Sequence, residues 1–160
     1  MSAEYVYDDS RLYDLFEQLD ERHRVRALRG GFRRAGQKVR KAAISVLRSG
    51  LRSNRDLERG IRVVIGKRQP TFKVTGAFDL KSGRGFHRNR RGELKPVLLW
   101  AEDGTAVRST KRRGHHTTGS MTRIGFIDSA RRQCEASVTE DIHREVTDYV
   151  LRTARKNGCK

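Results

Sequence analysis

Three features of this chain predict an α+β fold, with a long N-terminal helix and a C-terminal helix packed on a small antiparallel β-sheet. Val25, Leu28, Phe32, Ala35, Val39, Ala42 and Val46 recur at alternating steps of three and four, which places them on one stripe of an α-helix. Ile61 to Ile65 is a β-branched run between two glycines, and the alternating run Thr71 to Phe78 follows it. Ala130, Cys134, Val138, Ile142, Val146, Tyr149 and Val150 then restore the helical rhythm. Helices first, strands next and a helix last argue for segregated elements rather than a βαβ alternation.

Taken in order, Leu12, Leu15, Phe16 and Leu19 repeat at helical spacing after Ser10, a good N-cap, and predict a short helix over 11–20. The long helix runs from 22 to 48 and closes at Ser49-Gly50. Gly30, Gly31 and Gly36 weaken it by roughly 1 kcal/mol each relative to Ala, which allows a break near Gly30-Gly31. The strands 61–65 and 71–78, separated by the Gln69-Pro70 turn, read as an antiparallel hairpin. Residues 81–93 read as a polar loop, either an arm or a finger facing DNA. Pro96 to Ala101 is the most apolar stretch and suits a strand or a helical turn. A second basic loop covers 106–119, and Met121 to Phe126 reads as a strand. The last helix starts near Asp128 or Ser129 and stops at Lys156-Asn157-Gly158, a basic last turn and a helix stop. The organisation is thus an acidic N-terminal arm with a short helix over 1–21, and one α+β domain over 22–157 with basic loops at 79–95 and 106–119.

Charge is the strongest compositional signal. Of 160 residues, 36 are Lys or Arg and 19 are Asp or Glu, giving a formal net charge of +17. Such a balance points to nucleic acid or another anionic surface. The charge is also polarised. Residues 1–21 hold seven acids against one base, whereas 22–55 hold twelve bases and no acid. An acidic end before a basic body suits subunits joined head to tail, with Asp14, Glu17 and Asp20 of one copy facing Arg33 and Arg40 of the next. The alternative is an acidic arm that is merely solvated. Cys134 falls in phase with the last apolar stripe as a small buried hydrophobe, and Cys159 stands near the end, so no disulfide framework is expected. No apolar run reaches the roughly 18 residues of a membrane span, and Met1 to Ser10 lacks the layout of a signal peptide. The expected setting is a reducing cytoplasm.

Catalytic patterns are not found. His115 and His116 are adjacent and lack a spaced Cys or His companion, so no metal or other cofactor is expected. Gly60 to Arg68 has the wrong spacing for a phosphate loop and offers Arg where Ser or Thr must reach magnesium. Glu102 and Asp103 are neighbours whose side chains diverge, and no serine sits in a nucleophile elbow. These readings exclude the common enzyme classes and leave assembly or nucleic-acid binding. The best candidates to meet DNA are Lys81, Arg84, Arg88, Arg90 and Arg91 in the first basic loop, and Lys111, Arg112 and Arg113 in the second. They would contact phosphate charge without reading bases. Pairing of these arginines with acids on neighbouring subunits is the competing account.

One stretch is more specific. Trp100-Ala-Glu102-Asp-Gly104-Thr105 precedes a basic loop, then Thr118-Gly119-Ser-Met121, then Gly125-Phe126-Ile127-Asp-Ser-Ala130. With the strand start Leu57-Glu-Arg-Gly-Ile61-Arg-Val63 and the long Ala/Lys/Arg-rich N-terminal helix over 22–48, this resembles the small neck proteins of long-tailed bacteriophages, known as head–tail joining or tail-completion proteins. The resemblance spans residues 12–152. It implies a structural, non-enzymatic virion subunit, assembled in the host cytoplasm. Such a subunit forms a ring of its own copies, on the order of six or twelve, between portal-side and tail proteins, and double-stranded DNA passes through it. It also implies structural roles for Trp100, Glu102, Gly104, Thr105, Gly119 and Phe126. Asp103 stands where the family commonly has an aromatic, and Ile127-Asp128 departs from its usual helix entry. The competing function is a sequence-independent nucleic-acid-binding protein of the ribosome- or nucleoid-associated kind.

Overall fold

The computed structural model describes residues 14, 16–52, 55–66, 71–109 and 117–156. The chain is α+β. Two long helices, α1 (Glu21–Gly50) and α4 (Phe126–Lys156), carry between them a short helix α2 (Arg55–Gly60), the strands β1 (Ile61–Ile65) and β2 (Phe72–Gly76), a small hairpin β3 (His87–Arg88) and β4 (Leu94–Lys95), helix α3 (Val97–Asp103), and the ribbon β5 (Arg108–Ser109) and β6 (Thr117–Gly119). Each sheet has two antiparallel strands. β1 and β2 pair in the register Ile61 with Gly76 through Ile65 with Phe72, the hairpin the sequence predicts.

α1 and α4 lie antiparallel. His23 meets Tyr149 at one end, Lys38 pairs with Asp141 midway, and Gly50 sits beside Ile124 at the other end. α1 is continuous through Gly30-Gly31. A Cβ on Gly31 would come within 3.3 Å of the Ile142 carbonyl, so these glycines let the two helix backbones approach. The most buried line on α1 is Ala27, Gly31, Ala35, Val39, Ala43 and Leu47. The predicted stripe shares only Ala35 and Val39 with it. Val25, Leu28, Phe32, Ala42 and Val46 flank it and are half-buried. The shift has a physical cause: α1 packs against α4 on one side and the β1–β2 hairpin on the other, where Phe32 meets Phe72 at 5.6 Å between ring centroids. The deepest line is the seam between the two partners.

The core proper lies toward one end, where Val39, Ala43 and Leu47 of α1 meet Leu57, Ile61, Leu98, Ala101, Phe126, Ala130 and Cys134. Pro96 to Ala101 resolves as helix, and Cys134 is buried as expected.

Two expectations are corrected. Met121 to Gly125 is not a strand, because its backbone groups bond to the end of α3 rather than to an extended neighbour. Thr105 N–H donates to Met121 O at 2.9 Å, and Ile124 N–H donates to Ala101 O at 2.8 Å. α4 therefore begins at Phe126, ahead of the predicted start. Residues 81–93, read from sequence as a polar loop, include the strand β3 and two ordered turns. Asp79 accepts from Lys81 N–H and Ser82 Oγ, and Asn89 Oδ1 accepts from the N–H groups of Arg91 and Glu93, so side chains close two ordered turns. Much of the predicted first helix, the Gln69-Pro70 turn, His115, His116, Cys159 and the Asn157-Gly158 stop lie outside the described residues.

Candidate polyanion interface

The segment that carries the family resemblance forms a clasp. Glu102, near the end of α3, accepts the Ile127 N–H at 2.9 Å through Oε2 and so caps the N-terminus of α4. Arg123 braces the same corner, donating to Glu102 O at 3.1 Å and pairing with Asp128 at 3.1 Å. Gly104 follows with φ +78°, a conformation that disfavours side chains, and a Cβ there would press on Met121 O and Arg123 N at 3.2 Å. Thr105 Oγ1 accepts the Met121 N–H at 2.8 Å. Phe126 is fully buried under this corner, Trp100 O accepts the Gly104 N–H, and Gly119 adopts φ +80° at the end of β6. These groups use their hydrogen-bonding capacity on the fold itself.

Chemistry that faces outward is cationic. On α1, Arg22, Arg26, Arg29, Arg33, Gln37 and Arg40 recur at steps of three or four, so at 3.6 residues per turn they share one face over about 27 Å of axis. At its N-terminal half this face forms one wall of a groove of about 810 Å³, whose opposite wall is Glu145, Tyr149 and Arg152 of α4. At its other end the face runs into a second concavity of about 610 Å³, where Arg40, Arg59, Arg62 and Arg84 meet and Asp56 is the one acid.

The second concavity is built by glycines. Gly60 closes α2, and a Cβ on it would lie 2.7 Å from Gly85 Cα. Gly85, buried at φ +79°, donates its N–H to Asp56 O at 3.0 Å. The two bare backbones let the 79–85 turn lie directly on the α2–β1 junction, and this brings Arg84 beside Arg59 and Arg62. The carboxylate of Asp79 is held below its usual range, chiefly by the Ser82 hydroxyl and then by the Lys81 N–H. It therefore stays ionised and keeps the turn closed.

The predicted candidates separate. Arg84 joins the concavity. Arg88 turns back onto its own hairpin, donating to Gly92 O at 2.8 Å. Lys81, Arg90 and Arg91 are exposed on the two turns, and Lys111, Arg112 and Arg113 lie outside the described residues. Among the interface candidates, Asp14, Glu17, Asp20 and Arg33 are exposed. Arg40 is half-buried, and its guanidinium donates to Ile61 O at 2.6 Å and Glu58 O at 3.2 Å, so much of it is occupied within its own chain. Arg34 and Lys38 are likewise occupied, by Glu145 at 2.9 Å and Asp141 at 2.7 Å of α4. Sequence reasoning missed Arg59 and Arg62 because they stand on a separate helix and strand. The arginine spacing along α1 was the visible signal.

No protein-family model, curated protein or solved structure matches this chain. Among the described residues no helix is long and apolar enough to cross a membrane, and no group of three or more His, Cys, Asp or Glu side chains could hold a metal ion.

Proposed function

We propose that this chain is a ring-forming structural protein of a bacteriophage neck, a head–tail connector or tail-completion component that joins the portal side to the tail and lets DNA pass. It acts by assembly and turns over no substrate. The observation that carries the reading is the outward arginine face of α1 preceded in the chain by exposed acids, Asp14, Glu17 and Asp20. The acids of one copy can lie along the arginine face of the next, a heterologous contact that closes into a ring when its rotation closes. Leu80 and Val107, 69% and 67% exposed, are large apolar side chains that suit burial at such a contact. The clasp of Glu102, Gly104 and Thr105 supports the same family, because the resemblance expects structural roles at these positions.

The test is the mass of the purified chain with Asp14→Lys, Glu17→Lys and Asp20→Lys combined. Leu19 is buried, so charge reversal is a cleaner probe than deletion. The wild type should run as one closed oligomer by mass photometry and the variant as smaller species. A variant with unchanged mass refutes the acid-on-arginine contact, and a monomeric wild type refutes the ring. The arginine face also favours a second reading, a nucleic-acid-binding protein indifferent to sequence. A wild type that stays monomeric while coating duplex DNA at varying stoichiometry would select it.

A further inference from the structure

We propose that the concavity where Arg59, Arg62 and Arg84 meet, backed by Arg40, is a seat for a backbone phosphate of double-stranded DNA. The inference rests on the reading that DNA passes this chain, and it names residues which neither the resemblance nor the loop candidates supplied, Arg84 excepted.

Four arginines from four elements line this concavity: Arg40 from α1, Arg59 from α2, Arg62 from β1 and Arg84 from the turn that follows β2. Asp56 is the one carboxylate in the lining. Like charges so gathered repel one another; Arg40 is held by the Ile61 and Glu58 carbonyls, and Arg84 feels the Asp79 carboxylate of its own turn, which leaves Arg59 and Arg62. Among the described residues the side chains of Arg59 and Arg62 form no hydrogen bond or ion pair that would account for them. An anion is the missing partner.

The lining narrows its class. Guanidinium forks match the oxygens of a phosphate bidentately. The wall carries no aromatic ring, so it offers no platform on which bases of a single strand could stack. A protein partner would be expected to fill an apolar centre, yet the accessible heads here are charged. Arg59, Arg62 and Arg84 stand off α1, so the concavity stays open to a duplex when the acids of a neighbouring copy lie along the arginine face of that helix.

The experiment measures binding of the full chain to short duplexes of two unrelated sequences, from about 50 to about 200 mM salt. It compares wild type with the triple variant Arg59→Gln, Arg62→Gln, Arg84→Gln. Arg40 is left in place because it also holds the fold. A control triple, Arg131→Gln, Arg132→Gln, Arg155→Gln, removes the same charge from exposed positions on α4. Circular dichroism and the melting temperature verify that all three proteins are folded. If three phosphate contacts are lost, the log–log salt slope falls by about 2.7, so over that range the wild type loses about 40-fold more affinity than the triple variant. The control keeps the wild-type slope, and both sequences behave alike. An Arg59/Arg62/Arg84 variant with the wild-type slope overturns the seat, as does a control that loses as much. A variant that loses only its oligomeric mass, with the slope intact, assigns the concavity to a neighbouring copy and also overturns the seat. A wild type that binds no duplex overturns the seat and the DNA-passage reading together, while the charge-reversal test of the ring stands apart from both.

Discussion

The glycines of α1 make a paired test of how the helix is seated. Gly30→Ala and Gly36→Ala are the same change in the same helix interior, so each gains about 1 kcal/mol of helix propensity. Their surroundings differ. A methyl on Gly30 would rest 3.7 Å from Glu145 Cγ, an ordinary contact. A methyl on Gly36 would overlap Val63 Cγ1 and lie 3.3 Å from Phe72 Cδ2. Val63 sits in a paired strand opposite Val74 and is stiff about χ1, so the hairpin must shift. Overpacking of this kind costs about 2–3 kcal/mol, which outweighs the propensity gain. Gly30→Ala should therefore be about 1 kcal/mol more stable than the parent, and Gly36→Ala about 1–2 kcal/mol less stable. For a chain of this size the two melting temperatures should differ by about 5–10 °C, read from helical circular dichroism with urea unfolding as a second measure. Gly36→Ala melting at or above Gly30→Ala would refute the claim that the hairpin is set by contact with bare backbone on α1.

Removing the remote helix cap in Glu102→Ala should cost about 1–2 kcal/mol of unfolding free energy, with Glu102→Gln losing less because its amide oxygen still accepts the Ile127 N–H; equal stability of Ala, Gln and parent in urea would remove the cap from the account. Asp141 is held below the usual carboxylate range, chiefly by its hydrogen bond from Lys38. The stability it contributes is complete above the ordinary carboxylate pKa and is lost as pH falls through its lowered value. Lys38→Gln should therefore lower the melting temperature near neutrality and flatten its fall below about pH 4, and parallel melting curves for both proteins across that range would contradict this.

Periodicity made most of the fold legible, because each long element is amphipathic. α1, the β1–β2 hairpin and α4 could all be read from spacing. What escaped was structure whose partners are distant in sequence or whose order comes from side chains. The cap on α4 is Glu102, 25 residues before the amide it bonds, so local signals placed the helix start too late. Residues 121–125 resemble a strand in composition, yet their hydrogen bonds go to the corner after α3. The polar run 81–93 read only as a loop because the side chains of Asp79 and Asn89 close its turns. The arginine concavity was illegible for a related reason: the close approach of Gly60 and Gly85, with the Gly85 N–H bonded to Asp56 O, brings Arg84 to the side of Arg59 and Arg62. Arg88 and Arg40 show the reverse case, basic residues that look outward in sequence but are occupied by carbonyls of their own chain.

The two long helices are not gripped evenly. Toward the Gly50 and Phe126 end both helices enclose large side chains, whereas around Ala27, Gly31 and Ala35 α1 offers only backbone and methyl groups to side chains of α4 such as Ile142. A seam that smooth resists separation better than it resists sliding. What opposes a slide there is polar, the pairs Arg34–Glu145 and Lys38–Asp141 and the His23–Tyr149 bond. The end with the weakest apolar grip is also the end that bears the arginine groove. The acids of a neighbouring copy laid along that groove would brace the seam where its grip is polar, so ring closure should be felt first as slower hydrogen exchange in the opening turns of α1.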